Sequence, residues 1–451
     1  MGLTFPITPT WIDRGGVNFP SAYYSAPKGG VQNIVSIGSS LFACLQPQLN
    51  AASANLQMYR SDNGGNSWQM PTSAGTLHPR IGGGAGGRVF AFNGLVYVAN
   101  FVSGDASTTQ IASYDPVSDS WGSPTACYMS SASTFPSGGG FKLWAGFRPN
   151  GDFLTVYKND AGGLLSTGVS LNGSEIGSFS GSPGAGWRFP YYVSMDTDGT
   201  LHIILIGSDD TGSGWDIQKL WHVSVSTGNT FSLEQYLDNV EINFYGPPDT
   251  RPCFSMEQSG TNLGFAYPFQ IETWNGGGGS PAIKAAIGDM ISDPLNPIWV
   301  EEVVCTDTAK MPNSNAPGQM VRCMWNGSGQ LEAYWTSPSP DAISNSINNQ
   351  IWMSTRTAPN TWSAAVLVYQ TPAEDPASGY GPPFGFPYYP LQGFDLLSVA
   401  GTTRVMLDIT EGDFVSPYYF GVGYTAAGAA RRNGFSKAGG PGASRGNYAS
   451  A

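Results

Sequence analysis

The sequence predicts an all-β fold, a seven-bladed β-propeller closed by its N-terminal strand and followed by an irregular C-terminal tail. Three observations lead there. An aromatic residue with similar neighbours returns at Trp11, Trp68, Trp121, Phe179, Phe231, Trp299 and Trp362, with gaps of 57, 53, 58, 52, 68 and 63 residues. Repeats of this length, rich in strand formers and tight turns, build propellers. Turn signals flanked by alternating apolar residues run in step with the aromatics, at Gly38-Ser39, Asn93-Gly94, Asn150-Gly151, Asp198-Gly199, Ser259-Gly260, Ser328-Gly329 and Gly401-Thr402. Composition agrees, since 60 Gly and 33 Pro mark many turns and 57 aromatic residues suit strands.

Each unit reads as strand, tight turn, strand, longer connection, strand, turn, strand. The hairpins are visible as VFAFNGLVYVANF, YVSMDTDGTLHIILIG, CMWNGSGQLEAYW and LLSVAGTTRVMLDI. Asn-Gly and Asp-Gly provide the positive φ angles that a two-residue hairpin turn needs. After the seventh turn come MLDIT and SPYYFGVGYTA, and then strand character ends without another aromatic marker. The missing strand is found at the other end, where PTWIDRG resembles NPIWVEEV and NTWSAAVLV. Residues 8–14 are therefore expected to complete the seventh blade of a domain spanning 1–425. Such closure removes an open sheet edge.

Residues 426–451 are Gly-, Ala- and Ser-rich and carry Arg431, Arg432, Lys437 and Arg445 with no acidic residue. Two readings stand for this tail: a solvated end, or an arm docking on a neighbouring subunit. The rest of the chain has 16 basic against 32 acidic residues, within a net charge of −12. An acidic body repels phosphate backbones and anionic lipid, which excludes nucleic acid and membrane surfaces as main partners. Charged residues are only 12% of the chain, about half the usual share. The N-terminus has neither a basic segment nor an apolar run, so no signal peptide is expected, and no stretch is apolar enough to span a bilayer. The neutral, turn-rich profile points to an extracellular or virion setting reached by lysis or dedicated secretion. Five scattered cysteines, Cys44, Cys127, Cys253, Cys305 and Cys323, form neither a disulfide framework nor a zinc pattern. They read as single strand thiols, with a Cys253–Cys323 bridge left open.

Ser61-Asp62-Asn63-Gly64-Gly65-Asn66-Ser67-Trp68 resembles the Asp box, Ser-x-Asp-x-Gly-x-x-Trp, of sialidase-like propellers. Ser61, Gly65 and Trp68 match, and Asn63 replaces the aspartate. Weaker versions run from Ser113 to Trp121, Ser224 to Phe231, Ser292 to Trp299 and Ser354 to Trp362. The second unit, RIGGGAGGRVFAFNGLVYVANF…YDPVSDSW, also resembles a kelch repeat, with Ala99-Asn100 in place of its glycine pair. These resemblances imply architecture rather than chemistry.

Candidate ligand contacts come from the loops entering the innermost strands, which converge on a propeller's axis. Four units carry an arginine there: Arg80, Arg188, Arg251 and Arg322. Their guanidinium forks would suit a carboxylate or sulfate, or would pair with carboxylates that hold blades together. The sialidase resemblance implies three arginines on a substrate carboxylate. Here, however, Arg80-Ile81-Gly82 lacks the family's proline, and no motif marks a Tyr/Glu nucleophile pair or an acid aspartate. The same loops offer aromatics for stacking on sugars or anchoring a protein: Tyr23, Trp187, Tyr191, Tyr245, Tyr380 and Tyr388. His78, His202 and His222 form no catalytic pattern, and strand-borne His202 and His222 read as satisfied structural residues. No catalytic residue, metal site or cofactor is expected.

The sequence thus favours a non-enzymatic propeller, an interaction or adhesion module of an extracellular assembly such as a phage or virus tail or surface. Its expected partners are protein subunits, with 426–451 as the docking arm, and surface glycans. A multivalent lectin and a sialidase-like exo-glycosidase are the alternatives.

Overall fold

The computed structural model describes residues 10–12, 34–45, 56–63, 77–78, 87–100, 109–123, 125–127, 144–159, 166–180, 187–208, 218–240, 255–259, 262–269, 281–312, 321–338, 350–370, 391–399, 402–410 and 418–424. Among them the chain forms thirty strands and one short 3-10 turn, Thr308–Lys310.

The chain opens with β1 (Thr10–Ile12). The first sheet holds β2 (Ile34–Ile37), β3 (Ser40–Leu45), β4 (Leu56–Ser61) and β5 (Leu77–His78). In the second are β6 (Gly87–Phe92), β7 (Leu95–Asn100), β8 (Thr109–Asp115), β9 (Ser120–Trp121) and β10 (Thr125–Cys127). The third has β11 (Trp144–Phe147), β12 (Phe153–Asn159), β13 (Ser166–Leu171) and β14 (Ser174–Ser180). The fourth has β15 (Trp187–Met195), β16 (Leu201–Ser208), β17 (Gln218–Val225) and β18 (Gln235–Val240). In the fifth are β19 (Ser255–Ser259), β20 (Asn262–Phe269), β21 (Ala282–Asp289) and β22 (Ile298–Cys305). The sixth has β23 (Val321–Trp325), β24 (Leu331–Ser337), β25 (Gln350–Ala358), β26 (Thr361–Trp362) and β27 (Val366–Gln370). The seventh joins β28 (Leu391–Val399), β29 (Thr402–Thr410) and β30 (Tyr418–Tyr424) to β1, in the order β1-β30-β29-β28.

Among the described residues there are thus seven antiparallel sheets, and their arrangement is that of a β-propeller. The first strands make the contacts between sheets. β2 lies against β6, β6 against β11, and β15 against both β12 and β13. β19 then meets β15, β23 meets β19 and β20, β28 meets β23, and β28 returns to β2. The chain ends are joined within one sheet: β1 pairs antiparallel with β30, with Trp11 opposite Gly421.

The tight turns follow their residues. Asn93 and Gly94 have φ of 48° and 79°, the two positive values that a type I′ hairpin requires. Gly199 sits at φ 98°, and a Cβ there would come within 3.0 Å of Pro149 in the preceding sheet. Both conformation and space therefore demand glycine.

The second to sixth sheets bury both faces. Leu201, Ile203, Leu205 and Val223 of the fourth sheet pack with Trp144, Leu154 and Val156 of the third. Ile204, Ile206 and Leu220 pack with Phe265, Ile283 and Ala285 of the fifth. Such strands read as unbroken apolar runs because neither side meets water. The periodic aromatics stand at or beside outer strands and reach back to the preceding sheet. Phe231 meets Phe179 at 5.2 Å between ring centroids, Trp299 meets His222 at 5.1 Å, and Trp121 joins the cluster of Val35, Phe42 and Met58. Trp68 lies outside the described residues.

Polar clamps cross the same seams. Arg148, at the first turn of the third sheet and 1% exposed, donates to four acceptors in the turns of the fourth. These are Gly199 O at 3.1 Å, Thr227 O at 3.2 Å, Asn229 Oδ1 at 2.9 Å and Ser226 O at 2.7 Å. Glu302 on β22 accepts from Arg356 Nε and Nη2 at 2.8 and 2.6 Å, Asn360 N at 3.0 Å and Trp362 Nε1 at 3.0 Å. Burial alone would raise the Glu302 carboxyl; these four donors outweigh it and hold the group below its ordinary range.

The Sγ of buried Cys323 donates to Gly264 O at 3.3 Å, and Cys305 is a free thiol. Cys253, the other half of the bridge left open, lies outside the described residues. Replacing Arg148 with Met keeps the stem but strands buried Gly199 O and three part-buried acceptors. Arg148→Met should lower stability by about 3 kcal/mol, read as a shift in the urea midpoint at unchanged slope.

Candidate functional site

Six of the ten candidate contacts, Arg80, Arg251, Tyr23, Tyr245, Tyr380 and Tyr388, lie outside the described residues. Trp187 and Tyr191 stand on β15, Trp187 opposite Ser208 and Tyr191 inside the register shift between Pro190 and Tyr192; their side chains are outside the described parts. Arg188 and Arg322 do lie on first strands, as the sequence suggested. Both are buried, 3% and 2% exposed.

Arg188 pairs with Gly207, which presents no side chain, so the guanidinium can cross the sheet face. Its Cζ sits 3.5 Å from the centroid of Trp221 on the third strand. Its Nε donates to Glu234, just before the fourth strand, at 3.3 Å. The side chain therefore runs outward along its own sheet. Arg322 lies opposite Tyr334, and its Nη1 donates to Val321 O at 3.2 Å. Nearby, the Glu332 carboxylate is occupied by Asn326 Nδ2 at 2.8 Å and Tyr334 Oη at 2.9 Å. Asn326, the asparagine of one glycosylation sequon, is thereby buried and engaged.

The densest group of titratable side chains lies elsewhere, on the face of the fourth sheet turned toward the fifth. His222 stands directly opposite Gln235, while His202 stands opposite Ser224, two places along β17 on the same face. His202 Nδ1 is 3.1 Å from His222 Nε2, and His222 Nδ1 is 3.0 Å from Gln235 Oε1. Gln235 Nε2 donates to Pro297 O of the fifth sheet at 3.4 Å. At the other end, His202 Nε2 has no hydrogen bond and faces Asp196 Oδ2 at 3.5 Å. Asp196 belongs to the turn between β15 and β16. Its Oδ1 accepts from the backbone N–H of Asp198, Gly199 and Thr200 at 3.1, 2.9 and 2.7 Å.

These contacts fix the protons. Because Gln235 spends its amide N–H on Pro297, its Oε1 must accept from His222 Nδ1. His222 Nε2 is then a lone pair and accepts from His202 Nδ1. His202 Nε2 is left as a lone pair facing Asp196 Oδ2 at 3.5 Å, without a hydrogen bond. Burial, with Asp198 adding to the effect, pushes the Asp196 carboxyl up to about 8. Burial takes His202 down to about 4, and burial together with His202 takes His222 down to about 3. The hydrogen bond from Asp196 holds Asp198 below the usual carboxylate range.

His202, His222 and Gln235 thus form a one-way chain of hydrogen bonds that ends on Pro297 O. Among the described residues no cluster of His, Cys, Asp or Glu has the arrangement of a metal site. The sequence marked Asp198-Gly199 as a turn and both histidines as structural, but it could not join them. Their pairing depends on a register set across the connection at 209–217, which separates β16 from β17.

No protein-family model matches the chain, and no curated protein does. The fold is similar to several solved structures. One is the α-L-arabinofuranosidase Arb93A of Fusarium graminearum, at 10% identity and TM-score 0.44, covering 94% of this chain and 98% of that one. The polysaccharide lyase Uly1 gives 9% and 0.49, covering 91% and 93%. Trypanosoma rangeli sialidase gives 12% and 0.42, covering 90% of this chain and 56% of that one. At such identity the likeness reaches no residue of a site.

The chain of protons sets a pH dependence. The raised Asp196 carboxyl costs stability as pH climbs from about 4 to 8, where only the unfolded state ionises. The two depressed histidines cost stability as pH falls from about 6.5 toward 4 and 3, where only the unfolded state takes up protons. Denaturation midpoints should therefore peak near pH 6.5. Asp196→Asn, whose amide cannot ionise, should abolish the alkaline decline and raise stability at pH 8 by more than about 1 kcal/mol.

Proposed function

We propose that this chain is a non-enzymatic propeller, an interaction or adhesion module of an extracellular assembly, and that the assembly is the tail or surface of a virus or phage particle. On this reading the seven sheets are the blades of one closed ring. The turns after the third strands are diverged Asp boxes of the sialidase-like superfamily. The basic arm 426–451 docks on an acidic neighbouring subunit.

The observation that carries the reading is an apolar outer edge. Of seven exposed large apolar side chains among the described residues, six lie on the adjacent fourth and fifth sheets. They are Leu233 and Tyr236 at β18, Ile291 before β22, and Ile298, Val300 and Val303 on β22. β22 ends its sheet, spans eight residues and contains neither Lys nor Pro, the usual guards of an open edge. Its free side suits an extended segment of a partner subunit, added as a further strand with apolar residues at alternate positions.

The buried charges support the same reading. Arg188 and Arg322, half of the arginines that a carboxylate grip would use, are enclosed within their sheets. Contacts to surface glycans through Arg80, Arg251, Tyr23, Trp187, Tyr191, Tyr245, Tyr380 and Tyr388 complete the proposal. Cross-linking mass spectrometry on the chain in its native particle should join β18 and β22 to another subunit, and Val300→Lys should remove those links without loss of fold. Absence of the chain from the particle would end the proposal. Turnover of a fluorogenic sialoside would replace it with the exo-glycosidase, and array binding at several equivalent sites per chain would replace it with the lectin.

A further inference from the structure

We propose that the chain Asp196–His202–His222–Gln235–Pro297 is a protonation-sensitive latch that holds the edge strands β18 and β22 together. This rests on the reading of those edges as the contact surface and adds its regulation. Gln235 lies between exposed Leu233 and Tyr236, and Pro297 immediately precedes exposed Ile298. The last link of the proton chain therefore joins the two halves of the apolar surface. Ser224 Oγ, donating to Leu295 O at 2.7 Å, is a second and non-titrating tie across the same seam.

The latch has one consistent arrangement of protons. Adding a proton at His202 or His222 places a cation where both rings are wholly buried, between Trp299 and the apolar side chains of the two sheets. Hydrating that cation requires the seam to open. Removing the proton from Asp196 sets a carboxylate oxygen against the lone pair of His202 Nε2. Relief comes from reversing both histidine tautomers, which turns the Gln235 amide over and puts its Oε1 against Pro297 O, breaking the link. The latch is closed only between these limits.

Among the described residues the charged groups around the latch are few. From β15 and its turn come Asp196 and Asp198, and from the third sheet Arg148, bound to Gly199 O. Glu234 beside β18 is engaged by Arg188. In the fifth sheet, Asp293 is occupied by the backbone of Leu295 and Asn296 and by the Asn296 side chain. None of these supplies a carboxylate to the His222 ring, so an added proton there finds no counter-ion.

Hydrogen–deuterium exchange on the whole chain, without any partner, tests the latch. After correction for intrinsic chemistry, amides of β18 and β22 should exchange about tenfold faster for each pH unit below 6.5, one net proton being taken up on opening. Amides of β24 and β25 should keep their protection. Gln235→Leu, which cuts the last link and leaves both histidines, should show fast exchange in β22 already at neutral pH. Equal pH response in both sheets, or wild-type protection in Gln235→Leu at neutral pH, would overturn the latch. A pH response without cross-links at β18 and β22 would instead remove the contact reading and leave the latch standing.

Discussion

Burial of a sheet on both of its faces is the constraint on which this molecule depends. A sheet such as β15–β18, with Ile203 and Leu205 on one side and Ile204 and Ile206 on the other, cannot stand against water on either face. It needs a neighbour on each side, and that neighbour has the same need. A row of such sheets would always leave two apolar faces bare. The contacts here return from β28 to β2. Pairing of β1 with β30 then holds the returning end in place.

With so little charge in the chain, its placement is telling. Arg148 and the Arg356–Glu302 pair tie adjacent sheets, and each has its polar atoms answered by several partners. Removing such groups from water is costly unless the partners are in place, so these clamps specify how sheets meet more than they add raw stability. The His202–His222 chain follows the same logic with titratable groups. On the latch proposal, its order depends on protons, and this one seam responds to solution conditions. That seam also carries the apolar edge, which links the stability of the fold to what its surface can offer.

Much of the architecture was legible in the sequence because special backbone demands leave a mark. Gly38, Gly94, Gly151, Gly199 and Gly329 were read as turns and all have positive φ. Phe231, Trp299 and Trp362 were read as wedges between blades and do reach the preceding sheet. The likeness of PTWIDRG to outer-strand segments anticipated the pairing of Trp11 with Gly421. The candidate site was far less legible. On strands buried on both sides alternation disappears, and the register shift at Pro190–Tyr192 changes which face follows, so the direction of Arg188 could not be read. The Arg148 clamp joins residues 51 to 81 positions apart, beyond any local pattern.

The most direct test of the ring is a cross-link between the two ends of the chain. Residues facing each other in an antiparallel pair alternate between two spacings, both within or near disulfide reach. Two double variants, Thr10→Cys with Val422→Cys and Trp11→Cys with Gly421→Cys, cover both spacings. The account predicts that at least one forms an intramolecular disulfide under mild oxidation in the folded protein and raises its unfolding midpoint. Failure of both to cross-link in a protein that remains folded would contradict it.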